Sequence, residues 1–196
     1  MRKQAGVTLI ELMVAISVLG ILLALAIPNF SRMIRDAQNR TAAESVLNGL
    51  QLARAEALRR STQVRFSLTD KDGKVVWTVG CANTAICPAS IQSRAPEEGG
   101  GNARVGVSKA VLVKPYTADT FATTLAAGAG LDKPAFVTFD AFGRASAAAG
   151  TEISRIDITN VQTGSARRYV VTVTGGGQVR MCDPDAKLNG TPLGCT

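Results

Sequence analysis

The stretch from Val7 to Ile27, VTLIELMVAISVLGILLALAI, constrains this chain more than any other feature. It is apolar except for Glu11, and it is long enough to cross a bilayer, which takes about 20 residues at 1.5 Å rise. An ionisable group inside such a segment costs roughly a few kcal/mol on insertion scales, and more in some simulations. Glu11 therefore needs a partner or a purpose.

The flanks say how the segment is used. Residues 1–6 form a short basic stub, with Arg2 and Lys3, that ends in Gly6. A secretory signal places a small-residue cleavage site after its apolar core. Here Pro28-Asn29-Phe30 follow the core instead, so the apolar segment is expected to be retained and the cut to fall before it. Arg32, Arg35 and Arg40 on the far side leave topology ambiguous by charge alone. The short stub and the cysteines favour export of the C-terminal part.

The chain has 196 residues, a length suited to one domain plus accessory segments. Its formal charge of +7, about +5 without Arg2 and Lys3 by the same count, permits contact with DNA or anionic lipid without demanding it. There is no histidine, which excludes Ser-His-Asp and Cys-His catalysis and any histidine-ligated metal. Gly99-Gly100-Gly101 and Gly175-Gly176-Gly177 lack the GK[ST] ending of a phosphate loop and read as turns. Asp70, Asp72, Asp119 and Asp140 are scattered at turns, and no pair forms a readable motif. Neither an enzyme nor a cofactor is expected.

The cysteines form two close pairs, Cys81 with Cys87 and Cys182 with Cys195. Neither spacing matches a zinc knuckle. An even count behind a membrane-targeting segment points to disulfides in an oxidising compartment. Of three connectivities the two local bridges are favoured; free buried thiols are the other reading.

Beyond Pro28 apolar residues recur at three- and four-residue steps: Phe30, Met33, Ile34, Ala37, Val46, Leu47, Leu50, Ala53, Ala57 and Leu58. One helix of about 50 residues, apolar and then amphipathic, is the economical reading, with the Met33–Leu58 stripe as core. Gly20 and Pro28 are its weak points, and a break at Pro28 is the alternative. From Ser61 onward TQVRFSL, KVVWTVG, ARVGVSKAVLV, PAFVTF, ISRIDITNV, RRYVVTVT and QVRMC read as short strands. Asp72-Gly73 suits a hairpin turn between the first two. Residues 95–102 and 117–130 read as loops, the latter with room for a strand or helical turn. The expected fold is α+β: a long N-terminal helix packed on an antiparallel β-rich head.

At this point the residues suggest a family. AGVTLIELMVAISVLGILLALAIPNF resembles the N-terminal signal of type IV pilins and of type II secretion pseudopilins. VTFDAFGRAS and YVVTVTGGGQVRMCDP resemble the F-x-x-x-G-R turn and closing strands of the GspH/FimT group of minor pilins and pseudopilins. The resemblance implies cleavage after Gly6 by a prepilin peptidase and N-methylation of Val7, where relatives usually carry Phe or Met. It divides the chain into a cleaved leader (1–6), a transmembrane and assembly half-helix (7–28), an amphipathic half-helix (29–60) and a periplasmic head (61–196). It implies a single-pass protein of the bacterial inner membrane that assembles into a pilus or pseudopilus. The implied partners are other minor pilins or pseudopilins, the major pilin and the inner-membrane assembly platform.

The resemblance also gives Glu11 a role. In a staggered bundle the amine of one mature Val7 can meet Glu11 of the next subunit, and pairing a buried charge fixes register. Pairing with its own amine, or protonation, is the bland alternative. Three systems fit such a subunit: a minor pilin that initiates or caps a type IV pilus, a minor pseudopilin of type II secretion, or a DNA-binding pilin. The C-terminal cysteine loop favours the pilus, since pilins commonly close a disulfide there. For DNA, some relatives use a Gly-Arg-x-Arg stretch. The matching positions are Gly177-Gln178-Val179-Arg180, with Arg167 and Arg168 nearby to compensate. A solvated face is the other reading of these three arginines.

Overall fold

The computed structural model describes residues 8–96, 98, 100–132, 135–146, 150–162, 165–187 and 189–196, without the side chains of 25–29 and 118. Gly6 and Val7 lie outside these residues. The chain divides into two units, one ending at Ile34 and the other running Arg35–Thr196.

Helix α1 spans Leu9–Arg60, and its backbone stays helical through both Gly20 and Pro28. A proline forfeits one backbone donor, and the regular turns on either side carry the helix through it. In the first unit Leu9, Ile10, Leu12, Met13, Val14 and Ile16 are all exposed, as are Val18 to Leu23 wherever a large apolar side chain occurs. Among the described residues no helix is long and apolar enough to cross a membrane.

In the second unit α1 buries Asn39, Ala42, Ala43, Val46, Leu50, Ala53 and Ala57. The steps of three and four residues place them on one face. The expected Met33–Leu58 stripe is thus corrected at both ends, because Met33, Ile34, Ala37 and Leu58 are exposed. The buried stripe is rich in alanine, which lets the β-head approach closely. A Cβ added at Gly49 would lie 2.8 Å from the Phe66 ring and 3.1 Å from that of Trp77.

Eight strands follow among the described residues: β1 (Val64–Leu68), β2 (Trp77–Cys81), β3 (Gln92–Arg94), β4 (Ala103–Ser108), β5 (Ala135–Phe139), β6 (Arg155–Asn160), β7 (Tyr169–Val173) and β8 (Val179–Cys182). They form two antiparallel sheets, ordered β3-β2-β1-β5 and β4-β6-β7-β8. In β1 the burial alternates, with Val64, Phe66 and Leu68 inward, as a half-buried strand requires. One core joins α1 to both sheets, through Phe66, Trp77 and Val137 of the first and Val105, Ile156, Ile158 and Val171 of the second.

The β1–β2 hairpin forms, but not as a two-residue turn at Asp72-Gly73. The strands end at Leu68 and resume at Trp77. Gly73 instead takes φ +77°, and its carbonyl accepts from Val105 N at 2.7 Å, which ties the hairpin to β4. A Cβ there would collide with Gly128 and with the Val105 carbonyl. Strand β3 and the short 3-10 turn Ala118–Phe121 complete the segments that periodicity leaves unassigned.

Strand β7 is buried along its whole length because its outer face has a second, smaller core. Phe121, Val170, Cys182 and Cys195 form it, with Tyr116 packed edge-on to Phe121 at 5.3 Å between ring centroids. The turn at 118–121 and the C-terminal loop cover this face.

Candidate functional site

Glu11 sits in the first turn of α1, where a carboxylate is favoured by the positive end of the helix dipole. Its backbone N–H donates to Thr8 Oγ1 at 3.3 Å. The positions before it that would carry cleavage and methylation, Gly6 and Val7, lie outside the described residues.

The cysteines pair locally: Cys81 with Cys87 and Cys182 with Cys195, with Cα separations of 5.8 Å and 5.0 Å. The second bridge closes the loop after β8. Asp183 N donates to Leu193 O at 2.6 Å, and Cys195 N returns to Asp183 O at 3.2 Å.

The three arginines considered for DNA do not form an open patch. Arg168 has only 12% of its side chain exposed. Its Nη1 donates to Asp157 Oδ2 at 2.9 Å and its Nη2 to the Phe121 carbonyl at 2.6 Å. Arg180 Nη2 donates to the carbonyls of Pro192 (3.2 Å) and Gly194 (2.5 Å), which fastens the disulfide loop. Arg167 is exposed, yet its Nε lies 3.4 Å from Asp183 Oδ2 and its backbone N donates to Asp36 Oδ1 at 2.6 Å. Its carbonyl accepts from Asn39 Nδ2 of α1 at 2.8 Å. Two of these guanidiniums, those of Arg168 and Arg180, bind loop carbonyls, while that of Arg167 is exposed.

Sequence reading passes over Arg155 and Asp157, which prove central to the outer face. Asp157 is fully buried and accepts four hydrogen bonds: Arg155 Nε (2.6 Å), Arg155 Nη2 (2.8 Å), Arg168 Nη1 (2.9 Å) and Leu125 N (3.0 Å). The two guanidiniums also hold the carbonyls of Thr120, Phe121 and Thr123. Arg155 lies 5.2 Å from the centre of the Phe121 ring, within cation–π range. This clamp pins the long β4–β5 connection onto the sheet. The available signal is charge at alternate positions of a strand, Arg155 and Asp157, alternating with Ile156 and Ile158.

The F-x-x-x-G-R segment is a turn built on Asp140. Its Oδ1 accepts from Phe142 N and Arg144 N, both at 2.9 Å, and Oδ2 from Arg144 Nε at 2.9 Å. The Arg144 backbone hydrogen bond, helped by that guanidinium, holds the Asp140 carboxyl below the ordinary aspartate range. Gly143 takes φ +72°, and its carbonyl accepts from Arg54 Nε of α1 at 3.1 Å. Gly177 packs so closely on that carbonyl that a Cβ would collide with it. The turn thus ties the helix to the β7–β8 connection. Among the described residues no group of three metal-binding side chains occurs.

A long helix with an exposed apolar first part, followed by a head of two antiparallel sheets, is a pilin-like fold. Residues 1–27 match the prokaryotic N-terminal methylation motif, and residues 42–177 match the model of Type II transport protein GspH. The chain belongs to the GspH family, whose members are structural subunits of the pilin and pseudopilin type that assemble with other pilins.

Two fimbrial proteins of Pseudomonas aeruginosa are 32% identical to it over 94 residues, 48% of this chain. The match spans 59% of those relatives' own length. Among solved structures, the minor pilin FimU of Pseudomonas aeruginosa is similar at 17% identity and a TM-score of 0.46, over 80% of this chain and 94% of that one. The minor pseudopilin EpsH of the Vibrio cholerae type 2 secretion system is similar at 13% identity and 0.44, over 76% and 99%.

Proposed function

We propose that this chain is a minor pilin that helps initiate or cap a type IV pilus, held in the bacterial inner membrane until assembly. The observation that carries this reading is the exposed apolar surface of α1 from Leu9 to Leu23, which lies within a methylation motif. So large an apolar surface needs covering, first by lipid and then by neighbouring helices in the fibre. A prepilin peptidase cuts after Gly6 and methylates Val7, and Glu11 pairs with the Val7 amine of the adjacent subunit. The partners are other minor pilins, the major pilin and the assembly platform; the role is structural and not catalytic.

The staple between Cys182 and Cys195 and the partial match to fimbrial proteins support a pilus. The GspH family match supports a second reading, a minor pseudopilin of type II secretion. Electron microscopy of a clean deletion strain separates them. Bald cells that regain fibres on complementation place the protein in pilus initiation, whereas normal pili retire that reading and direct the test to secretion and then DNA uptake. Glu11→Leu should be processed and inserted but incorporated poorly into fibres; normal incorporation would refute the intersubunit pair.

A further inference from the structure

An open groove of about 520 Å³ runs between α1 and the outer edge of the first sheet, lined by Glu44, Asn48, Leu52, Trp77 and Arg94 among others. Its floor is settled, because Trp77 Nε1 donates to Ser45 Oγ at 3.0 Å. Its wall is not. Among the described residues strand β3 pairs with β2 and carries no strand on its other side. Arg94, the last residue of β3, has only 5% of its side chain exposed, and its Nη1 is buried with no hydrogen-bond partner among the described residues.

The acceptors now around that guanidinium do not satisfy it. Nη2 donates to the Glu98 carbonyl, but the Glu98 carboxylate stands 3.9 Å from Nε and is 63% exposed. On the helix side Glu44 is already paired with Arg40 at 2.8 Å. Burial pushes the Arg94 pKa down, as expected of a desolvated cation with too few acceptors. A buried cation with an unused donor is costly, and the strongest complement to a guanidinium is a carboxylate, which can take two of its N–H groups. An open strand edge beside it suits an extended chain.

We propose that this groove docks an extended acidic segment of a neighbouring protein chain. One of its carboxylates accepts from Nη1 of Arg94, the donor left unused, and its backbone lies along β3. Glu98 is the internal stand-in that swings aside on docking. The inference goes beyond membership of a pilus or a secretion system and holds for a neighbour in either.

The test uses the full chain in detergent micelles, titrated with a capped pentapeptide of alternating threonine and glutamate and followed by the Arg94 Nε–H resonance. Expected are saturable binding, at least tenfold weaker binding of the glutamine counterpart, and severalfold tighter binding to Glu98→Gln. Arg94→Gln should lose the peptide. So should Asn48→Trp, which fills the groove from an exposed helix position and leaves the core intact. No titration, or full binding by Asn48→Trp, would overturn the proposal. Glutarate binding as tightly as the peptide would also overturn it, because the site would then serve a free carboxylate and not a protein segment.

Discussion

Asp157→Asn is the sharpest perturbation of the head. The parent carboxylate balances two guanidiniums on the outer face of the second sheet, where Arg155 and Arg168 keep only 8% and 12% of their side chains exposed. Asparagine preserves the shape but removes the charge and turns an amide donor toward one guanidinium. Breaking a buried ion pair by removing one partner costs about 3–5 kcal/mol. Both arginines keep carbonyl acceptors at Thr120, Phe121 and Thr123, which places the expected loss at the low end, about 3 kcal/mol. At about 2–4 °C per kcal/mol for a chain of this size, Tm should fall by about 6–12 °C.

Arg168→Met gives the contrast. It removes the surplus cation and leaves Arg155 and Asp157 paired one to one, so it should cost only about 1–2 kcal/mol. Urea unfolding followed by circular dichroism measures both, and amide exchange at Leu125, whose N–H donates to Asp157, should quicken in Asp157→Asn. A loss below about 1 kcal/mol, or one smaller than that of Arg168→Met, would refute the clamp.

Three further outcomes are expected. Cys182→Ser with Cys195→Ser opens a loop of sequence separation 13 and should cost about 3 kcal/mol, matched by adding reductant to the parent. Gly177→Ala puts a Cβ at φ +78° onto the Gly143 carbonyl and should cost about 2–3 kcal/mol from left-handed strain plus displacement, measured by denaturant midpoint. Gly176→Ala, with nothing nearer than Thr174 Oγ1 at 4.0 Å, should stay within about 0.5 kcal/mol. Because the Asp140 pKa is lowered in the fold, its contribution is present above the ordinary aspartate value of about 3.9 and is lost as pH falls through the lower folded value. Asp140→Asn should therefore flatten the fall of stability below about pH 4, read from unfolding midpoints across pH.

The periodic parts of the fold were legible, and the parts that depend on tertiary contact were not. Alternating β-branched residues mark seven of the strands, and steps of three and four mark the helix. Strand β3 escapes because Gln92-Ser93-Arg94 has no apolar alternation and is held only by pairing with β2. The helix stripe is misplaced at its ends because hydrophobicity does not say where the head stops: Met33 and Leu58 look like core and lie exposed. The three arginines look like a surface because charge is usually solvated, yet Arg168 is taken by a carbonyl 47 residues away and Arg180 by carbonyls of the loop that follows it, which sequence does not show folding back. Arg94 has no signal of its own. Only burial beneath the Glu98 turn makes it noteworthy.

The outer layer has a consequence for the order in which the head can be completed. Phe121 and Val170 are sealed by a bridge whose second half, Cys195, follows all eight strands of the described residues. A chain arrested before that residue can pair all its strands and still present a greasy, unlatched flank to proteases and chaperones. Joining Cys182 to Cys195, which passes two electrons and two protons to an external oxidant, is then the step that latches this flank last.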